Sequence, residues 1–159
     1  MMNDLEKLEQ KAADENIKID YMRFRSSNIR GLYYEGSVAI NSDLLTTAQK
    51  ADVLAEELGH HYTSSGNIIN YKNVNNKKQE RTARLWGYND RIGLMGIINA
   101  FKAHCENAHD IAEYLNVSEE TLIEALECYR QIYGTGTMVD NYFIQFEPNL
   151  QIHTLMYPK

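Results

Sequence analysis

The segment over residues 46–63 constrains the fold more than any other part of this chain. Its apolar residues recur at i, i+3, i+4, i+7 and i+11, which is the spacing of one buried face of an α-helix. Ser42, Asp43 and Thr46 are available as N-caps, and a polar stretch with Gly66 follows. We therefore predict a long helix that packs its apolar stripe into the core. The residues of this stripe are Ala51, Leu54, Ala55, Leu58 and Tyr62.

The charged residues of the same helix have the spacing of metal-binding chemistry. In the motif H-E-x-x-H, two histidines one turn apart bind a metal, and the glutamate between them acts as general base. Glu57 and His60 occupy the places of that glutamate and of the second histidine, whereas Glu56 stands where the first histidine would be. Zinc accepts carboxylate oxygen as well as imidazole nitrogen, and an oxygen-richer donor set favours manganese or similar ions. Glu56 is therefore a candidate ligand.

A further ligand is expected from the next helical stretch, and Glu80 is the best candidate there. An ordinary structural account also exists for each of these side chains. Glu56 and Glu57 could be a solvated charged pair on a surface helix, and Glu80 could pair with Arg84 one turn later. Each of these explanations is sufficient for a single residue. The occurrence of all these residues together, at the spacing of a metal-binding motif, favours a metal site instead.

These two helices together resemble the ImmA/IrrE family of metallopeptidases. The resemblance rests on Val-Leu-Ala-Glu-Glu-Leu-Gly-His-His at residues 53–61, followed by Glu80-x-x-Ala83-x-x-Trp86-Gly87. It implies a zinc-dependent endopeptidase of mobile elements, prophages or stress systems, which cleaves or inactivates helix-turn-helix repressors. By position it implies Glu57 as general base, with His60 and Glu80 as metal ligands and Glu56 at a ligand place where the family has histidine.

Glu56 leaves three interpretations open. In the first, Glu56 is an oxygen ligand, and the bound metal activates water for Glu57 to deprotonate. In the second, His61 supplies the missing imidazole after a change of rotamer or helix register. In the third, no metal binds and the fold acts as a protein-binding module. The expected function is thus a metal-dependent endopeptidase that inactivates a repressor, with a catalytically inactive binding protein as the alternative.

The expected fold class is α+β within one domain. A peptidase core over residues 1–104 is predicted to pack with a helical hairpin and closing strand over residues 105–159. The predicted elements are a helix over 5–13, antiparallel strands over 17–24, 29–34 and 37–40, the helix over 46–63, a polar loop over 67–76 bordering the cleft, a helix over 77–101 bent near Gly93 or Gly96, a helical hairpin over 109–133 and a strand over 139–146.

Charge and composition exclude other classes of function. A net charge of −6 and a pI near 5.3 disfavour binding to phosphate backbones. The hairpin resembles a helix-turn-helix unit, but its second helix carries glutamates where a DNA-reading helix needs basic or amide side chains.

His104 and His109 are five apart and so do not share a helix face for a metal. A polar start, no membrane-length apolar run and two unpatterned cysteines predict a cytoplasmic protein with reduced thiols.

Overall fold

The computed structural model describes residues 1–26, 28–64 and 74–155, and at 74–76 it describes only the backbone. Over this part the chain forms helices and two separate sheets, which confirms the predicted α+β class. The chain divides into two compact units, Met1–Arg91 and Ile92–Lys159. The predicted arrangement of a core over 1–104 and a hairpin with a strand over 105–159 stays a prediction.

Three strands form the sheet of the first unit: β1 (Lys18–Met22), β2 (Gly31–Tyr34) and β3 (Ser37–Asn41), in the order β1-β3-β2. β2 and β3 pair antiparallel across a tight turn at Glu35 and Gly36, both of which have positive φ. β1 pairs parallel with β3, so the prediction of an antiparallel sheet was wrong for this strand. β1 and β2 are separated in the sheet by the position of one strand, a distance of about 10 Å, and the connection between them is long enough to span it. β3 therefore inserts between them.

Three helices complete the first unit: α1 (Asp4–Asp14), α2 (Thr47–Thr63) and α3 (Val74–Arg91). Thr46 caps α2 in a capping box with Gln49, in which each side chain binds the backbone of the other residue. The predicted bounds of α2 are thus confirmed. α3 begins three residues before the predicted start at residue 77, and residues 67–73 of the predicted polar loop lie outside the described residues.

The apolar stripe of α2 lies in the core of this unit, as predicted for four of its five residues. Ala51, Leu54, Ala55 and Leu58 are fully buried and cluster with side chains of α1 and β3. Tyr62 departs from the prediction because it is 38% exposed. Its ring stacks on Trp86 of α3, with the ring centroids 4.9 Å apart.

Two glycines let α2 and α3 pack backbone against backbone. A Cβ on Gly59 would lie 2.2 Å from the carbonyl oxygen of Ala83, and a Cβ on Gly87 would lie 3.1 Å from the amide nitrogen of Glu56. Ala83 itself is fully buried in this contact. Residues without a side chain are therefore needed on both helices, because any larger group would separate them.

Arg91 fastens the last turn of α3 to the other two helices. Its Nε lies 2.9 Å from Oδ1 of Asp52 on α2, and its Nη1 lies 3.1 Å from Oδ2 of Asp4 on α1. The Arg91 and Asp52 side chains are both only 5% exposed. Because a buried charge is tolerated only with its partner, this pairing sets where α3 ends relative to α2.

The second unit contains α4 (Gly93–Lys102), α5 (Ala108–Leu115) and α6 (Glu119–Tyr133). The predicted helical hairpin is confirmed, with Ser118 capping α6 at the amide of Thr121. The helical stretch predicted over 77–101 is interrupted near Gly93, one of the two places where a bend was expected, because α3 ends at Arg91 and α4 begins at Gly93. Gly93 follows with φ of +67°, a left-handed conformation that glycine adopts readily.

The closing strand predicted over 139–146 is instead part of a three-stranded antiparallel sheet. Its strands are β4 (Gly136–Val139), β5 (Tyr142–Gln145) and β6 (Gln151–Thr154), in the order β4-β5-β6. The chain reverses after β4 because Asp140 has φ of +52° in a two-residue turn, a conformation that aspartate tolerates. None of the described helices is both long and apolar enough to span a membrane.

We expect Gly59→Ala to destabilise the protein by about 2 kcal/mol or more, because the added methyl group overlaps the backbone of α3. Urea unfolding monitored by circular dichroism measures this loss. Gly96→Ala is the matched control: it also lies inside a helix, but its Cβ would meet only Leu115 at 3.4 Å. Alanine favours helix, so this control should be neutral or slightly stabilising. Equal effects of the two substitutions would contradict the packing argument.

Candidate metal centre

Two helices bring Glu56, His60 and Glu80 together. Glu56 and His60 lie one turn apart on α2, and Glu80 lies on the first half of α3. One donor atom from each of the three lies within 4.8 Å of the other two. Within residues 1–26, 28–64 and 74–155, no other group of histidine, cysteine, aspartate and glutamate side chains meets this condition. The residues that the sequence analysis selected as ligands from two helices are thus neighbours in space.

The donor set fits a divalent metal ion. His60 Nε2 lies 3.4 Å from Glu80 Oε1. Two ligands of a tetrahedral zinc ion, each about 2.1 Å from the metal, are separated by about 3.4 Å. The His60 side chain is 17% exposed and that of Glu80 is 48% exposed, so the group lies at the surface of the unit. An imidazole and two carboxylates suit zinc or manganese.

His60 and Glu80 stabilise each other's charged form. The hydrogen bond that His60 donates to the carboxylate of Glu80 raises the pKa of His60, and the same hydrogen bond lowers the pKa of Glu80. Only a neutral imidazole can bind a metal through its lone pair. Metal binding at this site would therefore displace a proton from His60 as well as break its pairing with Glu80.

Glu57 lies beside this group but faces the interior. It is 7% exposed, and its burial raises its pKa to about 7, an effect that the neighbouring carboxylates of Glu56 and Glu80 increase and that His60 opposes. Strand β2 contributes to the burial: a Cβ on Gly31 would lie 3.2 Å from Cγ of Glu57. A carboxyl group with a pKa near neutrality can take up and release a proton at physiological pH.

Arg84 pairs with Glu56, a contact that the sequence analysis missed. Arg84 Nε lies 3.3 Å from Glu56 Oε1, whereas the sequence suggested a pairing of Arg84 with Glu80 along α3. Glu80 instead makes its hydrogen bond to His60. The signal was available in the spacing: Glu80 and Arg84 are four apart on α3, as are Glu56 and His60 on α2. Two facing helices with matched spacing can form two cross-helix ion pairs.

His61 is not brought into the group with Glu56, His60 and Glu80. Its Nδ1 lies 2.9 Å from the hydroxyl of Tyr33 on β2, and its Nε2 lies 3.5 Å from a carboxylate oxygen of Glu15. The Tyr33 oxygen accepts a hydrogen bond from the Gly36 amide, which leaves its own proton to donate to Nδ1. Both ring nitrogens of His61 thus already have contacts elsewhere. Its role as an alternate ligand stays a prediction.

The second unit contains no such group among its described residues. His109 hydrogen-bonds Glu119 through Nδ1 at 2.6 Å, and its side chain is 65% exposed. Among the described residues, Cys105 and Cys128 are not joined in a disulfide bond. The expectation that α6 does not read DNA stays a prediction.

We expect the raised pKa of Glu57 to make stability depend on pH. Because the folded protein holds this proton more tightly than the unfolded chain, the stabilisation is fully present below about pH 4.5 and is lost as the pH rises through 7. Relative to Glu57→Gln, the wild-type protein should lose about 3 kcal/mol between pH 4.5 and about pH 8. Urea unfolding of both proteins in chelator measures the difference, and parallel pH profiles would exclude it.

A comparison with protein families assigns the chain to a family. The family model described as the IrrE N-terminal-like domain, a peptidase family, matches residues 12–127. The searches of curated proteins and of solved structures gave no match. The matched region covers most of the chain, including both helices of the site, and confirms the resemblance found in the sequence. The chain therefore belongs to the IrrE N-terminal-like family and carries a metallopeptidase-like domain.

Proposed function

We propose that this protein is a metal-dependent endopeptidase that inactivates a helix-turn-helix transcriptional repressor. The observation that carries the proposal is the position of Glu57: a buried carboxyl group with a pKa near 7 directly beside three potential metal ligands. The family supports a protein substrate. The repressor, the cytoplasmic location and an origin in a prophage or other mobile element follow from the ImmA/IrrE resemblance and belong to the proposal.

The proposed roles follow from the position of each donor atom. His60 would bind the metal through Nε2, and Glu80 and Glu56 would each bind through a carboxylate oxygen. A bound zinc or manganese ion supplies a Lewis acid that polarises the scissile carbonyl and makes water more acidic. Glu57 takes the proton from the attacking water, whose oxygen bonds to the carbonyl carbon. Glu57 then delivers that proton to the amide nitrogen as the peptide bond breaks.

Direct binding of nucleic acid is not part of the proposal. The second unit has 3 lysine and arginine residues against 9 aspartate and glutamate residues, so it carries the whole net charge of −6. Such a surface repels a phosphate backbone. An acidic protein is instead suited to act on a DNA-binding partner, whose own surface must be basic.

The alternative is a catalytically inactive family member that binds its partner without cutting it. The two cross-helix ion pairs favour this alternative, because Arg84 and His60 neutralise Glu56 and Glu80 without any metal. The family match is compatible with both functions, since a fold does not by itself imply activity. Cleavage and metal binding must therefore be measured separately.

Incubation with the repressor encoded beside the gene tests the proposed activity. We expect the wild-type protein with zinc or manganese to cleave the repressor, and Glu57→Gln to lower the rate by about 10²- to 10⁴-fold because it removes the general base. Cleavage products are followed by mass spectrometry, with Glu15→Gln as a control carboxylate outside the metal group. Intact repressor bound tightly by both the wild type and Glu57→Gln would support the binding module instead.

The zinc affinities of two histidine variants test whether His60 or His61 is the metal ligand. We expect His60→Gln to lower zinc affinity at least tenfold, since removal of a ligand imidazole leaves an incomplete donor set. His61→Gln should leave zinc affinity within about threefold of wild type, because His61 contacts Tyr33 and Glu15 instead. Competition with a chromophoric chelator gives both affinities. The reverse order would show that His61 is the ligand.

A further inference from the structure

Glu56, which stands where the resemblance to the family implies a histidine, forms an ion pair with Arg84. Arg84 on α3 contacts Glu56 on α2 through Nε, in a pairing between residues 28 positions apart in the chain. The Arg84 side chain is 55% exposed and that of Glu56 is 37% exposed, so the pair lies at the surface, where the side chains can reorient. This contact joins the same two helices as the pairing of His60 with Glu80.

Arg84 supplies a fixed positive charge to a site rich in carboxylates. Glu56 and Glu80 each contribute a negative charge, and Arg84, which is always positive, lies against Glu56. Without Arg84, the carboxylate of Glu56 would face Glu80 and Glu57 with only His60 to offset them. Arg84 therefore links α2 and α3 at this site through an ion pair that involves no metal ion.

A metal ligand role for Glu56 conflicts with this pairing. The Glu56 oxygen that Arg84 contacts belongs to the same small carboxylate that would face the metal. A guanidinium and a divalent cation on the same carboxylate repel each other, because both are positively charged. Binding of the metal through Glu56 thus requires Arg84 to move away or to tolerate this repulsion.

We propose that Arg84 is the resident counter-cation of Glu56 and that it determines how tightly this site binds a divalent metal. The inference rests on the proposed function in one respect, namely that Glu56, His60 and Glu80 form a metal site. Arg84 competes with the metal for Glu56, so the site binds metal more weakly than its three ligands would allow. In the metal-free protein, the pair of Arg84 with Glu56 adds modestly to the contact between α2 and α3.

The first arm of the test measures the pairing without metal. We expect Glu56→Gln and Arg84→Gln each to lower the melting temperature in chelator by about 1–3 °C. In the double variant the loss should be smaller than the sum of the two, because each single substitution already breaks the same pair. Additive losses would overturn the role of Arg84 as counter-cation.

The second arm measures zinc and manganese affinity by competition with a chromophoric chelator. We expect Arg84→Gln to bind both ions about tenfold more tightly than the wild type, because it removes the competing charge. Arg84→Lys keeps a positive charge and should stay closer to the wild type. Arg81→Gln is the matched control, since Arg81 is an exposed arginine of the same helix without an ion pair among the described residues. It should change affinity less than twofold.

The outcomes separate the two proposals. Equal or weaker metal binding by Arg84→Gln, with clear binding by the wild type, would overturn the competition and leave the metal site intact. Failure of the wild type and of every variant to bind zinc or manganese would overturn the metal site, and the competition with it. Tighter binding by Arg84→Gln together with non-additive melting temperatures would support both parts of the inference.

Discussion

The contact between the backbones of α2 and α3 is the constraint on which the candidate site depends. Gly59 lies against Ala83, and Gly87 lies against the backbone at Glu56. At this separation the carboxylate of Glu80 on α3 accepts a hydrogen bond from the imidazole of His60 on α2. Arg91 then fixes the far end of α3 through its buried pairing with Asp52. The glycine contacts at one place and the ion pair of Arg91 at the other therefore set the positions of the donor atoms in the candidate metal site.

The sheet contributes to the chemistry as well as to the core. β2 runs close against α2 because Gly31 has no side chain, and this approach removes water from Glu57. Loss of hydration raises the pKa of this carboxyl group more than any neighbouring charge does. The neighbours of Glu57 on α2 remain partly exposed and charged. On α2, the buried carboxyl group of Glu57 and the partly exposed carboxyl group of Glu56 therefore lie in different environments, although the two residues are adjacent in the sequence.

Local patterns in the sequence were sufficient to predict α2 and to offer Thr46 among its possible caps. These features depend on helical spacing and on residue chemistry, which are read directly from the chain. The role of Glu80 as a metal ligand stays a prediction. The parallel pairing of β1 with β3 could not be derived in this way, because strand order depends on which surfaces pack together. The pairing of Arg84 with Glu56 was missed for a related reason: its partners are close only once the two helices are in contact. Contacts at long range in the chain follow from packing and not from local preference.

The backbone contact that holds α2 and α3 together does not involve the side chains of the candidate metal ligands. Since glycine and alanine make the crossing, the side chains at positions 56, 60 and 80 point from a scaffold that does not depend on their identity. An exchange of imidazole for carboxylate at position 56 can therefore occur without refolding, provided that a nearby residue balances the charge. If the proposed metal site exists, such a scaffold lets single substitutions at these positions change the donor atoms while the fold is kept.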